Sequence, residues 1–521
     1  MVYCGKLSKG CAPCRAKRTK CDLQRPSCSQ CLRTGRICSG YRFVKGWEFL
    51  DQTKDVAQKQ SALNTKKSSP PFISASAGPS TGKSLIPQAS AQKNIIPTDI
   101  PAVAEDVAAG CFFNYYVLPN PTKGPSKLYN SLPELYAKAR SDSAFSATIV
   151  ALGIASMSCS MKIPSLMLKA NAKYAEALNL INSALRDPFA AKLDETLMVV
   201  ILLGLYEENN PTTISLDPWT HHVQGALMLL DYRGQQQLQT PHGLDLIRAQ
   251  RMQVLVNSLV RQTSVPETML KWSRLARQYE TRDEIAESEL ADLFAQFCDL
   301  QACMAFSSEY SDPAKVVAHA SSIEAELVNW AAKWQADEPY ASIIARELSP
   351  DVFSDHWHLY NDIFVADLWN NYRSIRINVN EIIVKQLSLM NGYQPTPLIL
   401  HYSPDYDNQL DYSKRTVLEL SRQICAAVPF YMGRNLYMNE TPRESPYSIK
   451  NAARAKLILW PLYVAGQSEF ISDVMRGWIA DQLEKIGETM GLGKAKALSG
   501  LVRSKHRTQG KSWRDLIFVN S

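Results

Sequence analysis

Six cysteines near the N-terminus carry the chemistry of this sequence. They run Cys11-x2-Cys14-x6-Cys21-x6-Cys28-x2-Cys31-x6-Cys38, so one Cys-x2-Cys-x6-Cys unit occurs twice, offset by 17 residues. Repetition at that spacing is a ligand pattern. A zinc ion takes four tetrahedral ligands, so two zincs need eight thiolate bonds, and six sulfurs supply eight only when two of them bridge both metals. A segment this short buries no core of its own, so metal binding and folding are expected as one event.

The residues between the cysteines say what such a cluster would serve. Arg15-Ala16-Lys17-Arg18-Thr19-Lys20 places four cations in six residues, and a short helix leading away from the metal would offer them to phosphates and base edges. This stretch resembles the fungal binuclear zinc-cluster transcription factors. Their pattern, Cys-x2-Cys-Arg-x-x-[Lys/Arg]-x-Lys-Cys-Asp and then Pro-x-Cys-x2-Cys, is met by Arg15, Lys17, Arg18, Lys20, Cys21, Asp22, Pro26 and Cys28. The resemblance implies a module over residues 8–42 in which Cys11, Cys14, Cys21, Cys28, Cys31 and Cys38 hold two zinc ions, Cys11 and Cys28 bridging. It also implies that Lys17 and Arg18 reach base edges of a CGG-like triplet in double-stranded DNA, with Arg15 and Lys20 on phosphate. Arg and Lys suit the O6 and N7 acceptors of guanine.

Three other readings of the cysteines are open. A disulfide framework fits poorly, because Met1-Val2-Tyr3-Cys4-Gly5-Lys6 has no apolar secretory core and a reducing compartment is expected. An iron-sulfur site would use four cysteines, not a duplicated six. A zinc cluster used only for protein contact, with the cations as a solvated face, is the third, and a zinc-stabilised interaction scaffold is the rival function. Cys4 is surplus to the count.

Charge and composition confine the DNA-directed chemistry to the front of the chain. Of 521 residues with a net charge of +7, the first 50 hold 11 Lys and Arg against Asp22 and Glu48, while the remainder is slightly acidic. That local excess suits counterion release from a polyanion. Cys111, Cys159, Cys298, Cys303 and Cys425 are scattered among apolar residues and read as reduced core cysteines. The longest apolar run, about Leu197 to Tyr206, is far short of the ~20 residues a membrane span requires, so a soluble chain is expected.

The elements behind the module follow in order. Residues 43–100 read as a flexible tether, with 13 Ser, Pro or Gly among the 23 residues from Ser68 to Ser90. No apolar heptad persists there over three repeats, which weakens the case for a coiled-coil dimer reading a conventional palindrome. Ala77-Gly78-Pro79-Ser80-Thr81-Gly82-Lys83-Ser84 imitates a phosphate loop but lacks the flanking strand and helix that would aim its amides.

Residues 101–521 read as one large all-α domain of a dozen or more helices. Helical spacing is clear in Leu166, Met167, Ala170, Tyr174, Ala177, Leu178, Ile181 and Leu185 behind Pro164; in Val316, Ala320, Ile323, Leu327, Trp330 and Trp334 behind Asp312-Pro313; and in Val365, Leu368, Tyr372, Ile375, Val379 and Ile382. Alternating strand patterns of comparable length are absent. Four phrases resemble the fungal-specific transcription factor regulatory domain. They are Trp219-x2-His222-x2-Gly225-Ala226-x2-Leu229-Leu230-x2-Arg233-Gly234, Tyr372-Arg373-x2-Arg376-Ile377, Trp460-Pro461-Leu462 and Arg476-x-Trp478-Ile479.

Several tempting residues have plainer explanations. His221 and His222 read as packing residues because no carboxylate or cysteine at ligand spacing accompanies them. Trp330, Trp334, Trp357, Trp369 and Trp460 read as core more readily than as an effector pocket. Lys494, Lys496, Arg503, Lys505, His506, Arg507, Lys511 and Arg514 read as a solvated face. No nucleophile elbow, Cys/His pair or metalloprotease helix suggests an enzyme. The expectation is a mainly α nuclear regulator of RNA polymerase II transcription, acting on a metabolic or secondary-metabolite pathway. Its expected partners are CGG-containing DNA, transcriptional co-regulators, a second copy of the chain and a small-molecule effector.

Overall fold

The structure is a computed structural model that describes residues 11, 13–14, 17, 19, 21–22, 28–36, 38, 105–118, 126–209, 217–345, 349–392, 404–433 and 452–504. The phosphate-loop imitation, Cys4, Arg15, Arg18, Lys20 and the cations from Lys505 to Arg514 lie outside the described residues, as does the whole of the proposed tether. The chain divides into two compact units, Met1–Ala89 and Ser90–Ser521. The first contains the short helix α1 (Ser29–Arg33) among its described residues.

The second unit is helical almost throughout. Its elements are α2 (Glu105–Tyr116), α3 (Ser126–Lys138), α4 (Ala144–Ser160), α5 (Pro164–Arg186), α6 (Asp194–Asn209), α7 (Asp217–Arg233), α8 (Pro241–Arg261), α9 (Glu267–Arg277), α10 (Arg282–Phe306), α11 (Pro313–Trp334), β1 (Tyr340–Ile344), β2 (His356–Tyr360), α12 (Ile363–Gly392), α13 (Pro404–Tyr431), α14 (Ala452–Gln467), α15 (Asp473–Thr489) and α16 (Gly493–Ser504). No helix among the described residues is long and apolar enough to cross a membrane.

Local chemistry explains where the helices begin. The Ser143 hydroxyl accepts from the Ser146 N–H at 3.1 Å and starts α4, a cap of about 1 kcal/mol. Pro164 opens α5 and Pro313 opens α11, where Asp312 accepts from the Ala314 N–H; at these positions proline loses no intrahelical bond. Thr281 and Glu284 form a capping box at the head of α10.

Burial then decides the layers. Helix α4 has no distinct polar face and is buried along most of its length against α2, α5 and α6. Helices α2 and α4 approach closely at Gly153, where an added Cβ would fall 1.8 Å from the Ala108 carbonyl oxygen. The second centre is α12, which packs against α11, α13 and α14. The three periodic stripes behave as their spacing requires: Leu166, Met167, Ala170, Ala177 and Ile181 on α5, all six named residues on α11, and Val365, Leu368, Tyr372, Ile375 and Val379 on α12 are buried.

One element departs from the sequence expectation. β1 and β2 form an antiparallel hairpin with Tyr340 opposite Tyr360 and Ile344 opposite His356. With five residues per strand, too few for a strong alternation, it was not legible as a pattern. The hairpin lays Tyr340 and Tyr360 over the buried Arg373 guanidinium, whose Cζ is 4.9 Å from the Tyr340 ring centre. Arg373 Nη1 donates to the Tyr360 hydroxyl (2.8 Å) and to Asn370 Oδ1 (2.9 Å), and its Nε donates to Gln423 Oε1 (3.1 Å). One turn on, Arg376 donates from Nε (2.8 Å) and Nη2 (2.6 Å) to Glu324 of α11.

Two expected outcomes follow from this packing. Gly153→Ala forces α2 and α4 apart and should cost about 1–3 kcal/mol or more, seen as a lower unfolding midpoint of the helical unit. Glu324→Gln leaves the Arg376 cation without its carboxylate in a largely buried site and should cost about 3–5 kcal/mol; an unchanged denaturation midpoint would contradict this role.

Candidate metal centre

Two turns of backbone built alike place the six sulfurs. Pro13 and Cys14 are helical, the Lys17 N–H donates to the Pro13 carbonyl (3.2 Å), and the Thr19 N–H donates to the Cys14 carbonyl (3.0 Å). Seventeen residues on, the Thr34 N–H donates to Gln30 (3.3 Å) and the Arg36 N–H to Cys31 (2.9 Å). The duplicated spacing is therefore a duplicated fold. Gly35 closes the second turn at φ +62°, in the left-handed region that glycine enters without strain.

The sulfurs gather into two groups. Cys11, Cys14, Cys21 and Cys28 form one and Cys11, Cys28, Cys31 and Cys38 the other, with all ligand atoms of each group within 4.8 Å of one another. Cys11 and Cys28 belong to both. The Cys11–Cys28, Cys11–Cys31 and Cys14–Cys28 sulfur separations are 3.7, 3.6 and 3.7 Å. A tetrahedron with Zn–S bonds of about 2.3 Å has edges of about 3.8 Å, so the spacing fits two tetrahedra sharing the Cys11–Cys28 edge. It does not fit disulfides, whose sulfurs lie about 2.05 Å apart, and none of the six cysteines is disulfide-bonded.

The surroundings supply both burial and a brace. Cys11, Cys14, Cys28 and Cys31 are buried and pack as a cluster with Cys21 and Cys38, so the sulfurs themselves form the only core among the module's described residues. Cys28 also caps α1, its sulfur accepting from the Cys31 N–H at 3.4 Å. Burial pushes the Cys11 thiol far up and the Cys28 thiol up to about 12, against main-chain N–H donors that lower both. At neutral pH these two thiols therefore keep their protons in the absence of metal, and zinc must displace them. Asp22 accepts from the Ser29 N–H with both carboxylate oxygens at 3.2 Å and takes the Ser29 hydroxyl as well.

Of the four cations singled out in the sequence, Lys17 is exposed beside this cluster, and the other three lie outside the described residues. The remaining candidates resolve into packing. His222 receives or gives a hydrogen bond to the Tyr174 hydroxyl (3.0 Å), and burial lowers it to about 4, so it is neutral at physiological pH. Trp330, Trp334, Trp357 and Trp369 are buried, and the indole N–H groups of Trp330 and Trp369 donate to the Ala286 and Glu338 carbonyls. The C-terminal cations that are described are neutralised at home: Lys494 pairs with Glu208, Lys496 with Glu488 at 3.3 Å, and Arg503 with Asp481 at 2.7 Å. Sequence reasoning named Asp22 only as part of a motif. Its contact with Ser29, seven residues away, had no local signal beyond the Cys-Asp pair.

Comparison with known proteins agrees with this geometry. Residues 9–47 match the family model of the fungal Zn(2)-Cys(6) binuclear cluster domain. Over 434 residues the chain is 24% identical to a protein named "Transcription factor dbaG" of Emericella nidulans, covering 77% of this chain and 93% of that one. It is 42% identical over 55 residues to a protein of the same organism named "Aspercryptin biosynthesis cluster-specific transcription regulator atnN", 11% of this chain and 9% of the relative. No solved structure matches the chain.

The shared edge has a direct consequence for metal content. Metal analysis of the intact chain should return two zincs. Cys14→Ser or Cys38→Ser removes a ligand from one tetrahedron, and Cys11→Ser or Cys28→Ser from both, so the latter pair should retain less zinc. Because zinc competes with protons for raised thiols, affinity should fall as pH falls, which competition titrations at stepped pH would show. The N-terminal segment of this chain is a fungal Zn(2)-Cys(6) binuclear cluster domain, a zinc-binding and DNA-binding module of the kind that transcription regulators carry.

Proposed function

We propose that the protein is a zinc-dependent, sequence-specific transcription regulator whose cluster domain reads CGG-like triplets in duplex DNA. The observation that carries this reading is the pair of four-sulfur groups sharing Cys11 and Cys28, matched by the cluster-domain family over residues 9–47. Cys11, Cys14, Cys21, Cys28, Cys31 and Cys38 hold the two zincs. Bound zinc supplies charge and crosslinks, and no chemistry on DNA is asked of it. The chain's own residues do the reading. Lys17 stands one helical turn past Pro13, three residues after Cys14, and is exposed. From there Lys17 and Arg18 reach guanine O6 and N7, while Arg15 and Lys20 hold phosphate.

The helical unit acts as the regulatory domain. Support comes from the 24% identity that spans 77% of the chain, well beyond the cluster, and from the four phrases in their expected order. Such a chain works in the nucleus, on RNA polymerase II promoters and with co-regulators. Its relatives' names favour a biosynthetic target pathway. A zinc-stabilised scaffold without base readout is the competing reading, favoured by no particular contact.

Binding titrations on matched and scrambled duplexes test the assignment. Lys17→Ala or Arg18→Ala should lose about 1–3 kcal/mol of discrimination for the matched site. Arg15→Ala or Lys20→Ala should weaken all duplexes alike and flatten the salt slope by about one unit. Equal losses on every duplex for the first pair would reject base readout, and no zinc-dependent binding to any CGG arrangement would favour the scaffold.

A further inference from the structure

Among the described residues, one contact breaks the pseudo-symmetry of the cluster. Asp22 directly follows Cys21, and Ser29 directly follows Cys28, so the Asp22–Ser29 bonds close the six-residue connection between two ligands of the same four-sulfur group. The repeat does not supply this pair twice. Seventeen positions before Ser29 stands Ala12, which has no hydroxyl, and seventeen after Asp22 stands Ser39, which has no carboxylate.

The charge makes the placement informative. Six thiolates around two divalent ions leave a net negative cluster, where a further carboxylate is repelled unless its charge is met. Here the carboxylate accepts from the first N–H of α1 and from the Ser29 hydroxyl, donors that offset its charge. Outer partners that hold ligands in register govern how readily a metal departs.

We propose that Asp22 is a positioning residue for the zinc held by Cys11, Cys14, Cys21 and Cys28. It keeps Cys21, a ligand of that group alone, within the 4.8 Å ligand spacing of the shared Cys28, and so slows the loss of one zinc of the two. The inference rests on the two-zinc reading and is independent of any DNA contact.

The test uses the full-length, two-zinc protein mixed with excess chromophoric chelator, following zinc transfer with time. Asp22→Ala should release one zinc per chain about ten- to a hundredfold faster than the unaltered protein. Asp22→Asn, which keeps one acceptor oxygen, should fall between the two. Ser29→Ala, which keeps the main-chain amide and every cysteine, should accelerate the same zinc by a smaller factor. Release from Asp22→Ala at the unaltered rate overturns the proposal. So does an Asp22→Ala chain that never takes up two zincs while Ser29→Ala releases both at the unaltered rate. Because no DNA is present, failure here leaves the base-readout assignment to its own titration.

Discussion

The edge shared by Cys11 and Cys28 is the constraint on which the N-terminal unit depends. Around it the described residues bury little besides sulfur, and the backbone turns that flank it are too short to persist alone. A helix of five residues such as α1 exists because its cap, Cys28, is fixed to the cluster and its last carbonyls are closed by Thr34 and Gly35. Remove the metals and the raised thiols refill with protons, leaving neutral groups with no reason to converge. Folding of this unit and its metal content are then a single equilibrium, so any surface built on it, Lys17 included, exists only in the metal-bound form.

The helical unit solves the opposite problem. It has abundant apolar surface and must give the polar residues within it a partner. Helix α12 shows how this is done: Val365, Leu368 and Val379 supply the apolar stripe, while Arg373 is met by tyrosine, asparagine and glutamine oxygens under the hairpin. Arg376 is held by Glu324, which also receives Asn380 and the Tyr412 hydroxyl. Such a network stabilises little in net terms but makes any partial version of it costly, which favours one arrangement of α11, α12 and α13 over near alternatives.

These two units divide the work along the lines of charge. The basic excess sits in the first 50 residues, and the described cations near the C-terminus are consumed by Glu208, Glu488, Asp481 and Glu484. Attraction to a polyanion is thus concentrated where the cluster can orient it, and the large unit is left with surfaces of mixed sign.

The sequence by itself determined the metal pattern, its duplication, the basic run beside it, and the helical stripes of α5, α11 and α12 with their proline starts. Each is a statement about neighbours within a few residues, and local spacing is what periodicity and motif record. Only the tertiary structure decided that Asp22 reaches Ser29 and that the phrase around Arg373 and Arg376 is internal scaffolding. It alone revealed a hairpin covering that phrase. Arg376 meets a carboxylate 52 positions away, and such a pairing is chosen by how helices pack, a three-dimensional choice with no counterpart in short-range spacing.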